Sequence, residues 1–397
     1  MHIDKLLKKI LIAGGSHSDI PLIKAAQELG YFVTTTGNKP EDLGHQYSNQ
    51  YVMADFSDRD AMLSLANDLK IDAICSSSND FSIISSAYVA EVLSLPGFDD
   101  YLTTLRLHHK DLFRGLALAI GLKRTKSLSF DFAKGDLIKI KGMQFPLIVK
   151  PVDLTGGKGI SKVNDPHQLA KAIDDALAIS RLGRIVVEEF FEGTLHSYST
   201  FIQHGKVVFE YADNEFSFLN PYLVSTSTSP AFVSDAVLKN MRTETEKLAN
   251  ALSLVNGILH AQFLTNGDEY RIIEYTRRMP GDFYSIPVKM STGFDQANAV
   301  INQCINKPLN LLGDWRQKRF VSRHCSMASM NGTFSDMIIS GDIDKKIVDR
   351  FELKKIGDKI NNYLIDKTAI YFLEYESADE MQRFNKGINQ LIEVKIN

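Results

Sequence analysis

The sequence predicts an α/β protein, with a parallel α/β domain at the N-terminus and antiparallel strands beyond it. Three observations predict this. Between residues 9 and 93, short apolar runs alternate with segments of helical spacing, the pattern of a parallel sheet. Between residues 184 and 275, several apolar stretches have the two-residue alternation of antiparallel strands. Between these regions lies FPLIVKPVDLTGGKG, residues 145–159, where a buried strand runs into a glycine-rich loop. A chain of 397 residues has room for two or three domains, and a boundary is expected between Pro96-Gly97 and Leu107.

The elements follow in order. Residues 9–13 (KILIA) read as a buried strand, and 19–29 as a helix stopped by Gly30. Strands are expected at 31–35, 50–54 and 71–75, with helices at 58–69, capped by Ser57 or Asp58, and at 81–93. The loop Ser76-Ser77-Ser78-Asn79-Asp80 lies at a strand's carboxyl end, where open α/β sheets bind ligands; it serves equally as a helix cap. Pro96-Gly97 breaks the pattern. A helix at 112–120 ends at Gly121, with Lys110 and Arg114 on one face, which also suits a solvated surface. Residues 137–150 give two strands, 166–178 a helix that starts at Pro166, and RIVVEEFF (184–191) a strand ending in Glu188 and Glu189. Antiparallel strands at 198–202 and 207–211 precede a long helix at 235–254. GILHAQFL (257–264) and YRIIEY (270–275) form a hairpin, and 294–305 a helix. The last portion reads as short strands with a helix at 378–387. It carries no chemistry-bearing cluster and is expected to pack against the middle domain.

Composition excludes several classes. Lys plus Arg number 45 and Asp plus Glu 48, a net charge of −3, which does not suit a nucleic-acid or anionic-membrane surface. Cys75, Cys304 and Cys325 are far apart, so a disulfide scaffold or zinc ribbon is not expected and a reducing cytoplasm is. The N-terminal apolar run is too short for a signal or membrane segment.

The chemistry concentrates in two places. Lys150 ends a strand, and Gly156, Gly157, Lys158 and Gly159 follow it. Three glycines in four positions let backbone N–H groups approach a ligand closely, and the lysines add charge: a cradle for polyphosphate. A flexible hairpin tip with a solvated lysine fits the same residues. The P-loop pattern fails, because Gly159 follows Lys158, and the dinucleotide fingerprint fails at Gly14-Gly15 for want of a third glycine. The second place is the hairpin. Gln262 shares a strand face with His260, and Glu274 ends the partner strand before Thr276-Arg277-Arg278. A carboxylate and an amide on paired strands can hold Mg²⁺ through oxygen, with arginines beside them for phosphate or carboxylate. A surface ion pair between Glu274 and one of the arginines is the alternative.

In this order the motifs resemble the ATP-grasp enzymes over nearly the whole chain, which implies an N-terminal parallel α/β pre-ATP-grasp domain at 1–105, a two-part α+β grasp domain at 106–310 and a small C-terminal α+β subdomain at 311–397. Lys110-Asp111 is similar to the family's opening helix, whose first cation meets phosphate. Pro146-Leu147-Ile148-Val149-Lys150-Pro151 resembles the strand whose lysine meets the α- and β-phosphates and the adenine. Gly156-Gly157-Lys158-Gly159 resembles the loop that closes over phosphate. Glu188-Glu189-Phe190-Phe191-Glu192-Gly193 resembles the adenine hinge, and Glu274-Tyr275-Thr276-Arg277-Arg278 the metal segment. The departures are Leu195 in the ribose slot, which leaves Glu192 or His196 as substitutes, Gln262 in place of the first metal acid and Thr276 in place of the usual asparagine.

Residues 278–293 are most like enzymes that join a carboxylate to an amine, including amino-acid ligases. The resemblance implies ATP and Mg²⁺, with Mn²⁺ as the alternative ion, and metal ligands Gln262, Glu274 and Thr276. Lys110, Lys150 and Lys158 would clamp phosphate, and Arg278 would stabilise the acylphosphate. The implied partners are a small carboxylate and an amine, with a homodimer allowed. ATP-grasp carboxylation, carbamate phosphorylation, or a non-catalytic nucleotide-binding relative are the rival readings.

Overall fold

A computed structural model describes residues 7–131, 140, 142–309 and 313–397. The first domain contains β1 (Lys9–Ala13), α1 (Ile20–Glu28), β2 (Phe32–Gly37), β3 (Gln50–Met53), α2 (Arg59–Leu69), β4 (Ala73–Ser76) and α3 (Asp80–Val92). Its sheet is parallel in the order β3-β2-β1-β4, as the alternation of strand and helix requires. Asp58 caps α2, accepting from the Asp60 and Ala61 amides. Asn79 caps α3, accepting from the Phe81 amide.

Two helices, α4 (Tyr101–His108) and α5 (Lys110–Ala119), lead out of this domain, so the expected division at 105/106 falls inside α4. A small antiparallel sheet follows: β5 (Ser127–Asp131), β6 (Leu147–Pro151), β7 (Ser161–Val163), α6 (Pro166–Ile179) and β8 (Arg184–Glu189). The sheet order is β5-β8-β6-β7, and Ala172, Ile173 and Ala176 of α6 pack on its inner face. The strand expected from residue 137 lies largely outside the described residues.

The large sheet is built from β9 (Thr194–Gln203), β10 (Lys206–Phe216), β11 (Thr226–Ser229), α7 (Asp235–Ala251), β12 (Gly257–Asn266) and β13 (Glu269–Thr276), followed by α8 (Ser285–Thr292) and α9 (Gln296–Cys304). The last segment contributes β14 (Phe320–Met327), β15 (Gly332–Ile339), α10 (Gly341–Asp344), β16 (Ile347–Glu352), β17 (Lys359–Ile360), β18 (Lys367–Tyr375), α11 (Ala378–Asn385), α12 (Ile388–Leu391) and β19 (Ile392–Ile396). Three of these strands extend the large sheet, whose order is β13-β12-β9-β10-β11-β14-β18-β16; β17-β15-β19 form a separate small sheet. The last segment is therefore hydrogen-bonded into the middle of the molecule as well as packed on it.

Two cores hold the large sheet. On one face, Tyr198, Ala261 and Phe263 pack against Val237, Met241 and Leu248 of α7 and Phe113 of α5. On the other, Phe201, Phe209 and Tyr211 meet α8, α9 and the buried strands of the first domain. The alternation of β9, β10 and β12 sorts side chains between these faces. Among the described residues, no helix is long and apolar enough to cross a membrane.

Candidate active site

The small and large sheets face each other across a cleft made of two adjoining cavities, of about 340 and 250 Å³. The larger is lined by Ile148, Phe190, Phe191, Leu195, Tyr222 and Leu264. The smaller is lined by Lys110, Thr155, Gly156, Gly157, Glu274, Thr276, Arg278 and Arg323. Lys150, Ile160, Tyr222 and Gln262 border both. An apolar slot thus opens into a charged end, the shape required by a ligand with a flat base and a polyphosphate.

Lys150 is buried at the end of β6, with Nζ 2.6 Å from Glu188 Oε2. Arg114 of α5 donates Nε–H to the other carboxylate oxygen. Burial alone would raise the Glu188 carboxyl, but Arg114 and Lys150 outweigh it and hold the group down at about 2. Burial also lowers Lys150, against the opposing pull of Glu188. Arg114 is therefore fixed inside the protein and does not lie on a solvated face. Glu188, expected in the nucleotide hinge, lines the larger cavity with Glu189, and its carboxylate orients the lysine. Glu189 is likewise engaged: its Oε1 accepts from the Gln144 amide at 3.0 Å and lies 3.1 Å from Lys126 Nζ.

Lys110 starts α5, where the helix N-terminus adds partial positive charge, and its Nζ donates to the Leu154 carbonyl at 2.6 Å. That carbonyl opens the glycine loop. Gly156 and Gly157 have φ of 66° and 74°. A Cβ on Gly157 would stand 2.6 Å from the Tyr222 carbonyl oxygen and Cβ, so only glycine allows the loop to close on that side. Lys158 is exposed and lines neither cavity, and Gly159 packs toward Ile179 and Pro151.

At the charged end, Gln262 pairs in register with Glu274 across β12 and β13, and Thr276 follows on the same strand face. Gln262 Nε2 donates to Glu215 Oε2 at 2.6 Å, so the amide oxygen is the atom left for a cation. Among the described residues, Glu274 has no ion-pair partner, and the buried Thr276 Oγ1 has no hydrogen bond. The pairing of Glu274 with a neighbouring arginine does not occur: Arg277 Nε lies 2.6 Å from Asp99 Oδ2, and Arg278 Nε 2.6 Å from Asp80 Oδ1. An unpaired carboxylate, an amide oxygen and an orphaned hydroxyl are all hard oxygen donors, and they fit Mg²⁺.

Some expected residues are not brought to the cleft. His196 lies on the opposite face of β9 from Leu195, against Phe263, with its Nε2 2.7 Å from Thr194 Oγ1. Burial lowers its imidazole to about 4. Strand alternation that aims Leu195 into the cleft necessarily turns His196 away. Glu192 is exposed beside a separate surface hollow. Neither lines the cleft, where Leu195 stands with Ser217 and Tyr222.

Other residues were not expected. Glu215 borders both cavities, and burial, with Asp213 nearby, raises its carboxyl. The period of β10 places Asp213 and Glu215 on one face, a signal visible in the sequence. The last segment, read as lacking chemistry, supplies Arg323 of β14 to the cleft and Lys367 of β18 to Asp282. Arg323 is buried, donates to the Gly281 carbonyl at 3.0 Å and leaves Nε without a partner. Asp282 and Phe283 both hold left-handed backbones, φ 54° and 58°. They are secured by the Asp282 amide donating to Ser18 Oγ at 2.8 Å and by the Asp282 carboxylate meeting His17 and Lys367. Such strain persists only where the surroundings over-determine it, and here the first domain and the last segment both do so.

Comparison with known proteins gives the same picture. Residues 143–285 match the ATP-grasp domain family. The chain is similar to the C-terminal section of the carbamoyl phosphate synthase large chain of Aquifex aeolicus, at 26% identity over 50% of this chain and 37% of that one. It is also similar to a formate-dependent phosphoribosylglycinamide formyltransferase of Burkholderia thailandensis, at 28% over 46% of each chain. The match thus spans less than half the length of these two relatives. Among solved structures, an L-amino acid ligase from Bacillus licheniformis superposes with a TM-score of 0.82 at 20% identity, covering 98% of this chain and 99% of that one. Residues 143–285 thus match the ATP-grasp domain family, and nearly the whole chain shares its fold with the ligase structure.

Proposed function

We propose that the protein is an ATP-dependent carboxylate–amine ligase, in which an acylphosphate forms and is converted to an amide with release of ADP and phosphate. The observation that carries this reading is the convergence of Lys110, Lys150, the glycine loop, Gln262, Glu274, Thr276 and Arg278 on one cleft. Lys150, oriented by Glu188, and Lys110, at its helix N-terminus, neutralise the charge that spreads over the phosphoryl oxygens. The loop from Thr155 to Gly159 excludes water, and its exposed Lys158 adds charge as it closes. Arg278 holds the carboxylate and then the oxygen on which charge develops as the amine attacks. Gln262, Glu274 and Thr276 would hold Mg²⁺, which would supply charge neutralisation for the transferred phosphoryl group. The reading implies small-molecule substrates and a cytoplasmic enzyme, and allows a homodimer.

The test is an ADP-release screen over paired amino acids and small carboxylic acids, with a bicarbonate arm lacking amine. Release that needs both an acid and an amine supports ligation. Release with bicarbonate alone would move the chemistry to carboxyphosphate formation, the reading favoured by the match to carbamoyl phosphate synthase. ATP binding with no ADP release from any mixture would make the protein a non-catalytic binder.

A further inference from the structure

We propose that Asp80, supplied by the first domain, is a positioning residue that sets the guanidinium of Arg278 in the cleft; this rests on the reading of the cleft given above. Asp80 opens α3, but the capping of that helix is done by Asn79, whose side chain accepts from the Phe81 amide at 2.9 Å. The Asp80 carboxylate is thereby left for another task. It is buried, with Oδ1 2.6 Å from Arg278 Nε. His108 lies behind it, with Nδ1 3.3 Å from the same oxygen but not aligned for a hydrogen bond. The imidazole is itself held by its Nε2, which accepts from the Arg277 amide at 3.3 Å.

The adjacent arginines therefore have separate duties. Arg277 is spent on Asp99 and on the carbonyls of Val255 and Ile258, and pins the backbone at the end of β13. Arg278 is held at Nε by Asp80 and at Nη1 by the Met279 carbonyl at 3.3 Å, and the residue lines the cleft. Glu274 and Glu215 line the same cavity, and an untethered guanidinium would pair with them and leave the position a substrate carboxylate needs. Asp80 prevents that collapse. The cost of a misplaced group at a reacting centre is large even for shifts near 1 Å.

The experiment uses the full chain. In ¹⁵N-arginine-labelled protein, the Arg278 Nε–H resonance, identified by its loss in Arg278→Lys, reports the pose before any substrate is known. It is expected to be sharp and slowly exchanging in the wild type, and shifted and broadened in Asp80→Asn. An unchanged resonance in Asp80→Asn overturns the proposal. In ADP release, Asp80→Asn is expected to lower kcat roughly 10- to 100-fold, with ATP affinity unchanged within about twofold. In an Arg278→Lys background it should cost no more than about a further twofold, and full additivity overturns the proposal. Should Asp80→Asn not fold, Asp80→Glu keeps the charge while moving the oxygens by one methylene. It is expected to displace the same resonance, and an undisplaced one overturns the proposal. A wild-type protein that binds no ATP would instead sink the reading of the cleft, and the resonance arm would still decide the role of Asp80.

Discussion

Lys150 Nζ lies 2.6 Å from Glu188 Oε2, with both side chains buried and Arg114 on the far carboxylate oxygen. A single carboxylate thus balances two cations at the floor of the cleft. Glu188→Gln strands both. It is expected to destabilise the nucleotide-free protein by about 3–5 kcal/mol, measured by urea unfolding at pH 7. Lys150→Ala leaves Glu188 paired with Arg114 and should fold more readily, but lose about 3 kcal/mol in the phosphoryl-transfer step. Wild-type turnover in Lys150→Ala would exclude the lysine from the chemistry.

The same triad gives a pH dependence. The Glu188 carboxyl sits at about 2 in the folded protein, below its ordinary value of 4.5. A depressed carboxylate stabilises the fold above the unfolded value and loses that contribution as the pH falls toward the folded one. Wild-type stability should therefore decline between pH 4.5 and about 2 more steeply than that of Glu188→Gln. Parallel curves in urea titrations across this window would contradict the assignment.

Glu274 is the charged member of the trio with Gln262 and Thr276, and it has no ion-pair partner among the described residues. Glu274→Gln should nearly abolish ADP release and raise the Mg²⁺ requirement. Gln262→Glu adds a carboxylate beside Glu274 but breaks the bond to Glu215, so its Mg²⁺ requirement should fall while turnover is retained. ADP release titrated with Mg²⁺ checks both. An active Glu274→Gln with an unchanged requirement would remove the metal from this site.

Gly156 and Gly157 separate conformational cost from steric cost. Gly156 has open space for a Cβ, whereas Gly157 would collide with the Tyr222 backbone. Gly156→Ala should lose only the backbone cost of a left-handed residue, about 1–2 kcal/mol. Gly157→Ala should weaken ATP binding further, because the loop cannot reach Tyr222. Hydrogen exchange from Thr155 to Gly159 should slow when ATP is added, and less so in Gly157→Ala. Equal affinities for the two variants would show that the contact with Tyr222 is irrelevant to binding.

Much of this protein is legible in its sequence. The parallel first sheet, the glycine loop after Lys150 and the pairing of Gln262 with Glu274 all follow from local signals: strand–helix alternation, glycine content and the two-residue period of a hairpin. Even the exclusion of His196 was implicit in that period, since Leu195 and its neighbour must face opposite ways. What only the tertiary structure decided are the partners far away in sequence. Asp80 meets Arg278 across 198 residues, and Arg114 meets Glu188 across 74. Arg323, in a segment with no motif of its own, enters the cleft because β14 joins the large sheet beside β11. A lone charged residue has the same appearance in a sequence whether it is solvated or paired. Its role is set by which opposite charge the fold buries beside it, and that depends on the packing of whole elements rather than on the residues next to it.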